Sequence, residues 1–362
     1  MVEIIRDWRN YILEKDIRYI IGICGHYGGK KKFFDGQTVK TQNLTNELVR
    51  VYGKNNVITI DTYGGKKKLV NCLKGLYKML KNCDNIIILP AHNSVKIFPA
   101  FLILFNTFYN RRLHYVVIGG WLPEMVRNNK WLSRILKQLD YIYVETSTMK
   151  KKLEEQKFKN IEIMPNFKDL HIGEEKNVLD TYSAPFRICT FSRVMKEKGI
   201  QDIIEVVKEI NNEKGKVSVS LDIYGQIDID YKDEFKILRD TFPAYINYKG
   251  MVSPDKSVEI LRQYFLLVFP TRFYTEGIPG TIIDAYAAGT PVISSRWESF
   301  SDVVDEGVTG KGYQFGNKNE LKNTLLNCLE EPEKIVKMKT NCLKKAEEFM
   351  PKQAVRKLKL KV

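Results

Sequence analysis

Short apolar runs alternate along this chain with longer stretches in which apolar positions recur every three or four residues. The runs Tyr19–Cys24, Val57–Ile60, Asn85–Leu89, Tyr115–Ile118 and Tyr141–Val144 read as buried strands, since a strand covered on both faces loses its polar alternation. Helical patterns lie between them, the clearest being Leu69–Lys81, where Leu69, Leu73, Leu76 and Leu80 share one face. The polar stretch Lys168–Pro185 reads as a linker. A second alternating set follows, with strands at Arg187–Phe191, Val217–Tyr224, Ile246–Gly250, Leu266–Pro270 and Pro291–Ser294. Its helix Gly199–Ile210 places Ile200, Ile203, Ile204, Val207 and Ile210 on one stripe. Two such sets predict an α/β protein of two Rossmann-like domains facing a central cleft, spanning 1–168 and 169–350. Ligands of such parallel sheets sit beyond the carboxyl ends of the strands. The opening segment, MVEIIRDWRNYILEKD, mixes acids and bases with apolar positions and reads as an amphipathic helix rather than a signal peptide.

One segment carries more chemistry than the rest. In EGIPGTIIDAYAAGTPVI, Glu276 precedes Gly-Ile-Pro-Gly, and Asp284 falls inside an Ala-rich helical pattern that stops at Gly289 before a buried strand. The first backbone N–H groups of that helix, at Gly280, Thr281 and Ile282, lie ahead of any intrahelical acceptor, and the helix dipole favours an anion there. Glu276 stands at the edge of this anion site and Asp284 one or two turns inside it. An acid is a poor holder of phosphate alone; it suits a ligand that is part phosphate and part sugar. Arg193 and Lys198 flank a strand end and a helix start, and two cations at such a corner can clamp a diphosphate against the other helix end.

The spacing of Glu276 and Asp284 resembles the acid-x7-acid signature of family-4 retaining glycosyltransferases with the GT-B fold, with Asp284 one methylene shorter than the usual Glu. The segment FRICTFSRVMKEKGIQDIIEVVKEI, residues 186–210, resembles the family's donor-phosphate segment. Ile163-Met164-Pro165-Asn166 is similar to its inter-domain crossing, and Tyr248–Val252 and Glu306–Gly310 to its later strand and turn. The resemblance covers about half of the chain and implies a GT-B protein whose last helix, 351–362, packs back on the first domain. It further implies that Arg193 and Lys198 hold the donor diphosphate and that Glu276 contacts the transferred sugar, steadying positive charge at the anomeric carbon. Asp284 then reaches the ribose. The implied reaction is metal-independent transfer from a nucleotide-diphosphate sugar, a UDP-sugar, to a glycan acceptor on a lipid carrier, in bacterial surface-polysaccharide biosynthesis. It needs no further cofactor.

Composition changes this picture in two respects. The net charge of +15 across 362 residues calls for an anionic partner without naming it. Nucleic acid is set aside because no recognised binding module is present and the aromatics follow core periodicity. A dehydrogenase is set aside for want of GxGxxG with a following acid. The six cysteines have irregular spacing and read as reduced, buried thiols.

Several smaller features remain. Gly28 and Gly29, in the loop after the first strand, let backbone approach a ligand closely, and in the resemblance this loop borders the donor and acceptor phosphates. The family's catalytic-face histidine has no direct counterpart. His114 precedes the strand expected at Tyr115–Ile118, and His92, after Asn85–Leu89, is the better substitute. Asp228-Ile229-Asp230 imitates a DxD metal motif of another fold but reads as a polar turn. The lysine runs 30–32, 66–68 and 150–152, with the apolar Ile97–Phe105, fit docking on an anionic membrane. The expectation is a cytoplasmic protein, peripheral on the inner face of the cell membrane. The alternative is a catalytically weak GT-B-like binding subunit of a glycosyltransferase complex.

Overall fold

The computed structural model describes residues 19–29, 36–64, 68–174 and 183–361. The expected N-terminal helix, Lys30–Lys32, Lys66, Lys67 and the middle of the linker lie outside the described residues. Within them, β1 (Tyr19–Gly25), β2 (Val57–Asp61), β3 (Cys83–Ile88), β4 (Arg112–Val116), β5 (Tyr141–Val144) and β6 (Ile161–Ile163) form one parallel sheet, in the order β2-β1-β3-β4-β5-β6. A second parallel sheet, in the order β12-β11-β10-β7-β8-β9, is built from β7 (Phe186–Phe191), β8 (Val219–Tyr224), β9 (Ile246–Gly250), β10 (Leu266–Phe269), β11 (Val292–Ser295) and β12 (Gly310–Tyr313).

Helices cover both faces of each sheet, which is why runs such as Ile86–Ile88 and Leu266–Phe269 are wholly apolar and buried. On one face of the first sheet, Ile21, Ile23, Ile87 and Val116 pack with Leu44 and Leu48 of the helix Gly36–Tyr52. The end of the chain joins the same cluster through Ala354, Val355 and Leu358. The side-chain amide of Asn85 fastens it by accepting from the Lys361 N–H at 2.7 Å and donating to the Lys361 carbonyl at 2.8 Å. On the opposite face sit Leu76, Met79 and Leu80 of Leu69–Asn82, Leu102 of Phe98–Asn106 and Leu132 of Lys130–Leu136. In the second unit, Ile200–Glu213 and Lys318–Glu330 cover one face, and Gly280–Ala287 and Pro332–Ala346 the other.

The structure revises the strand containing His114. It begins at Arg112, so His114 lies inside β4 rather than ahead of it. The ring is fully buried beside Tyr141 and Tyr143, with Nε2 3.3 Å from the Asn85 side-chain oxygen and Nδ1 3.2 Å from the Tyr143 hydroxyl. Burial, helped by Arg112, pushes its pKa down to about 3, so it sits in the sheet as a neutral ring. With those partners supplied by β3 and β5, a polar side chain no longer marks the strand's end. The edge strands β6 and β12 are short, and β12 contains two glycines, so neither produced a recognisable apolar run.

Candidate functional site

A cavity of about 360 Å³ lies between the two units at the carboxyl ends of their strands. Arg193, Lys198, Glu276, Gly280, Thr281 and Asp284 all line it, with Lys40 of the first unit and Lys168 of the crossing segment.

Local sequence explains the corner that holds the cations. After β7 the chain passes through Arg193, turns at Lys196–Lys198 and enters the helix Ile200–Glu213 through Gly199. Gly199 has φ 63°, and a Cβ there would lie 2.0 Å from the Pro270 carbonyl oxygen, so only glycine fits. That contact seats Lys198 against the loop after β10. Its Nζ lies 2.5 Å from Oε2 of Glu276 and over the rings of Phe269 and Phe273. The Thr271 hydroxyl donates to the same carboxylate oxygen at 3.2 Å. Arg193 is about half exposed, and its guanidinium is 3.6 Å from Asp228. Asp228 itself caps the following turn by accepting from the Asp230 N–H. Among the described residues no three His, Cys, Asp or Glu are gathered in a metal-binding group.

The helix Gly280–Ala287 points its N-terminus into the cavity, but one expected donor is withdrawn. The Ile282 N–H donates to the Pro279 carbonyl at 3.0 Å, and the Ile282 side chain is fully buried in the core. The proline that starts the helix thus supplies an acceptor of its own, leaving the amides of Gly280 and Thr281 for a ligand. The buried Thr281 hydroxyl has no hydrogen-bond partner among the described residues. A buried hydroxyl without a partner is unfavourable unless a ligand completes it.

Asp284 is buried and bound to Lys168, whose Nζ lies 2.5 and 2.6 Å from the two carboxylate oxygens. Burial pushes the Asp284 carboxyl up from 3.8, while Lys168 and the Ser257 hydroxyl pull it back. Sequence reasoning missed Lys168. The signal was present in its position, two residues after the Pro165-Asn166 crossing, but nothing in the pattern tied it to an acid 116 residues away.

Gly28 and Gly29 do not line this cavity. They form a left-handed turn after β1, where the N–H groups of Tyr27 and Gly29 donate to the Asp61 carboxylate at 2.9 and 2.8 Å. His92 is exposed in the loop after β3, its ring 5.0 Å from that of Trp121. A residue not singled out from the sequence, His26, lines a second cavity of about 710 Å³ in the first unit together with Gln37, Asn93, Ile97 and Phe98. Its place directly after β1 was the available clue.

Residues 185–331 match the family described as Glycosyl transferases group 1. The chain is 20% identical over 206 residues to an uncharacterized glycosyltransferase of Methanocaldococcus jannaschii, covering 54% of this chain and 51% of that protein. It is 22% identical over 239 residues to an alpha-monoglucosyldiacylglycerol synthase of Streptococcus pneumoniae, covering 62% and 52%. The chain therefore spans about half the length of the curated relatives it matches. Among solved structures, Anabaena HepE in complex with UDP superposes with a TM-score of 0.70 at 15% identity, over 93% of this chain and 97% of that one. The fold is GT-B. Among the described residues no helix is long and apolar enough to cross a membrane.

Proposed function

We propose that this chain is a retaining, metal-independent glycosyltransferase that moves a sugar from a UDP-sugar to a glycan acceptor on a lipid carrier, in surface-polysaccharide assembly. The observation that carries the reading is the convergence of Arg193, Lys198, two helix-end amides and Glu276 on one inter-domain cavity. Arg193, Lys198 and the amides of Gly280 and Thr281 take the diphosphate and stabilise it as it departs. Glu276 stands beside the anomeric carbon, where an oxocarbenium-like transition state gains from a carboxylate. Asp284, with Lys168, faces the nucleotide. The acceptor enters from the first unit, past His26 and the larger cavity. No further cofactor takes part.

Two relatives support parts of this reading. A solved structure of the same fold holds UDP, and one curated relative is named as a synthase of a glycosylated diacylglycerol. A peripheral place on the inner face of the cell membrane is supported by one helical layer of the first unit. The neighbouring helices Leu69–Asn82, Phe98–Asn106 and Lys130–Leu136 contain no Asp or Glu. They and their ends expose Leu104, Phe108 and Trp131 among Lys74, Lys78 and Arg134. Exposed apolar side chains set among cations match an anionic leaflet.

The test is thermal stabilisation and slow donor hydrolysis across UDP-, GDP- and dTDP-sugars without metal, with Lys198→Ala as control. One stabilising donor, hydrolysed by the parent chain and not by the variant, is the expected result. A chain that binds a nucleotide but consumes no donor is a binding subunit instead.

A further inference from the structure

The loop that carries Glu276 is held by the other domain. Ile278, two residues on, has its N–H bound to Oε2 of Glu145 at 2.9 Å and its carbonyl bound by the side-chain amide of Asn166 at 2.9 Å. Glu145 follows β5 of the first unit, so the contact crosses the cleft. Its other oxygen, Oε1, accepts from Lys40 Nζ at 2.6 Å and from the Gly119 N–H at 3.2 Å. Lys40 also donates to the Val117 carbonyl at 2.9 Å. Both side chains of this pair are almost completely buried, at 1% and 3% exposure. Gly277 completes the fit, because a Cβ there would lie 2.3 Å from Glu145 Oε2 and 3.2 Å from the Gly119 Cα.

A buried ion pair is a poor way to gain stability, since desolvation offsets most of the attraction and an apolar pair of similar size does as well. What the pair provides is direction. Lys40 fixes one carboxylate oxygen from within the first domain, and the second oxygen is thereby aimed at a single backbone N–H of the second domain.

We propose that Glu145, oriented by Lys40, is a positioning residue of the transfer reaction: it fixes Gly277 and Ile278 and so sets where Glu276 stands over the donor cavity. The role rests on the glycosyltransferase reading above. It requires the two domains to be together, so Gly277 and Ile278 are fixed in this way only in the closed arrangement, while Lys198 and Thr271 of the second domain hold the Glu276 carboxylate itself. Donor binding by Arg193, Lys198 and the helix end uses groups of the second domain and does not need this contact.

That separation gives the test. Gly277→Ala sets a methyl group against Glu145 Oε2 and blocks the approach across the cleft while keeping both charges, whereas Glu145→Gln removes the charge that orders the contact. In the full chain both are expected to lower kcat by about 10- to 100-fold, the scale of a small misplacement of a reacting group. The donor KM and the UDP dissociation constant stay within about twofold, because uniform binding is untouched. Amide exchange of the segment containing Ile278, followed by mass spectrometry, accelerates in both variants. Variants that keep the parental kcat, or that lose activity only in proportion to unfolded protein, overturn the role of Glu145 while the reaction stands. A parent chain that consumes no donor overturns the reading and this role together.

Discussion

Lys198 and Glu276 are joined, Nζ to Oε2, at 2.5 Å, although one belongs to the corner after β7 and the other to the loop after β10. The pair links the group assigned to the departing phosphate with the acid assigned to the sugar, so each sets the other's charge environment. Removing the cation leaves a carboxylate facing the diphosphate. Lys198→Ala is expected to lower kcat by about 100- to 1,000-fold, the range for losing one preorganised charge at a developing anion. Steady-state donor consumption checks this, and turnover within a few-fold of the parent would remove Lys198 from the mechanism.

Lys168 and Asp284 make a second pair with a different consequence. Lys168→Met leaves a buried carboxylate without its cation and is expected to destabilise the chain by about 3 kcal/mol. Adding Asp284→Leu to Lys168→Met should recover most of that loss, because the uncompensated charge goes with it. The sign with pH follows from burial. Asp284's folded pKa lies above 3.8, so the folded state binds more protons than the unfolded one just above that value. Lys168 pulls that pKa down, so its removal raises it further and the penalty of Lys168→Met shrinks as pH falls towards 4. Urea denaturation of the two variants at pH 7.5 and 4.5 reads both effects, and an equal penalty at both pH values counts against them.

The repeating units were legible because both sheets are parallel and buried, so each strand announces itself as an apolar run and each helix as a stripe. The grouping of four residues around the inter-domain cavity was legible for a related reason. Arg193, Lys198, Gly280 and Glu276 lie at strand ends and helix starts, where glycine and proline punctuate the pattern. What stayed hidden depends on partners far along the chain. Lys168 finds Asp284 and Lys40 finds Glu145 across 116 and 105 residues, and no local spacing encodes such meetings. His114 misled because its neighbours Asn85 and Tyr143, which make its burial tolerable, come from other strands. Ile282 misled in the opposite way: the proline that marks the helix start also consumes one of its free amides.

The acid-free helical layer makes a prediction about surfaces. Leu104 and Phe108 expose 65% and 81% of their area on a face whose charges are all positive within its three helices. Burying two such side chains in a leaflet is worth roughly 1.5–3 kcal/mol each, so Leu104→Glu with Phe108→Glu should weaken vesicle binding by tenfold or more. Co-sedimentation with phosphatidylglycerol vesicles and with phosphatidylcholine vesicles checks it. Binding only to the anionic vesicles, lost in the double variant and at high salt, is the expected pattern. Binding that survives the substitutions would place the membrane contact elsewhere, and no binding by the parent chain would remove the membrane from the proposal.

Lys339 offers a test of the second domain's core that is independent of any substrate. It is 1% exposed, and its Nζ lies 3.4 Å from the carbonyls of Tyr264 and Gly289, the latter just beyond the helix Gly280–Ala287. A cation at the end of that helix complements the dipole whose other end faces the inter-domain cavity. Burial nevertheless dominates and pushes its pKa down from 10.5 to about 8. Between those two values the unfolded chain holds a proton that the folded chain has released, so this group makes stability rise with pH across the window. The slope it contributes is at most about 1.4 kcal/mol per pH unit. Lys339→Met removes the titrating group while keeping the apolar stem, so the variant should be more stable than the parent at pH 7.5 and lose that advantage by pH 10. Urea midpoints of parent and variant at pH 7.5, 9 and 10 measure the difference directly, cancelling the titration of all other groups. Parallel stability curves would mean that the Lys339 ammonium is as well accommodated in the fold as in water.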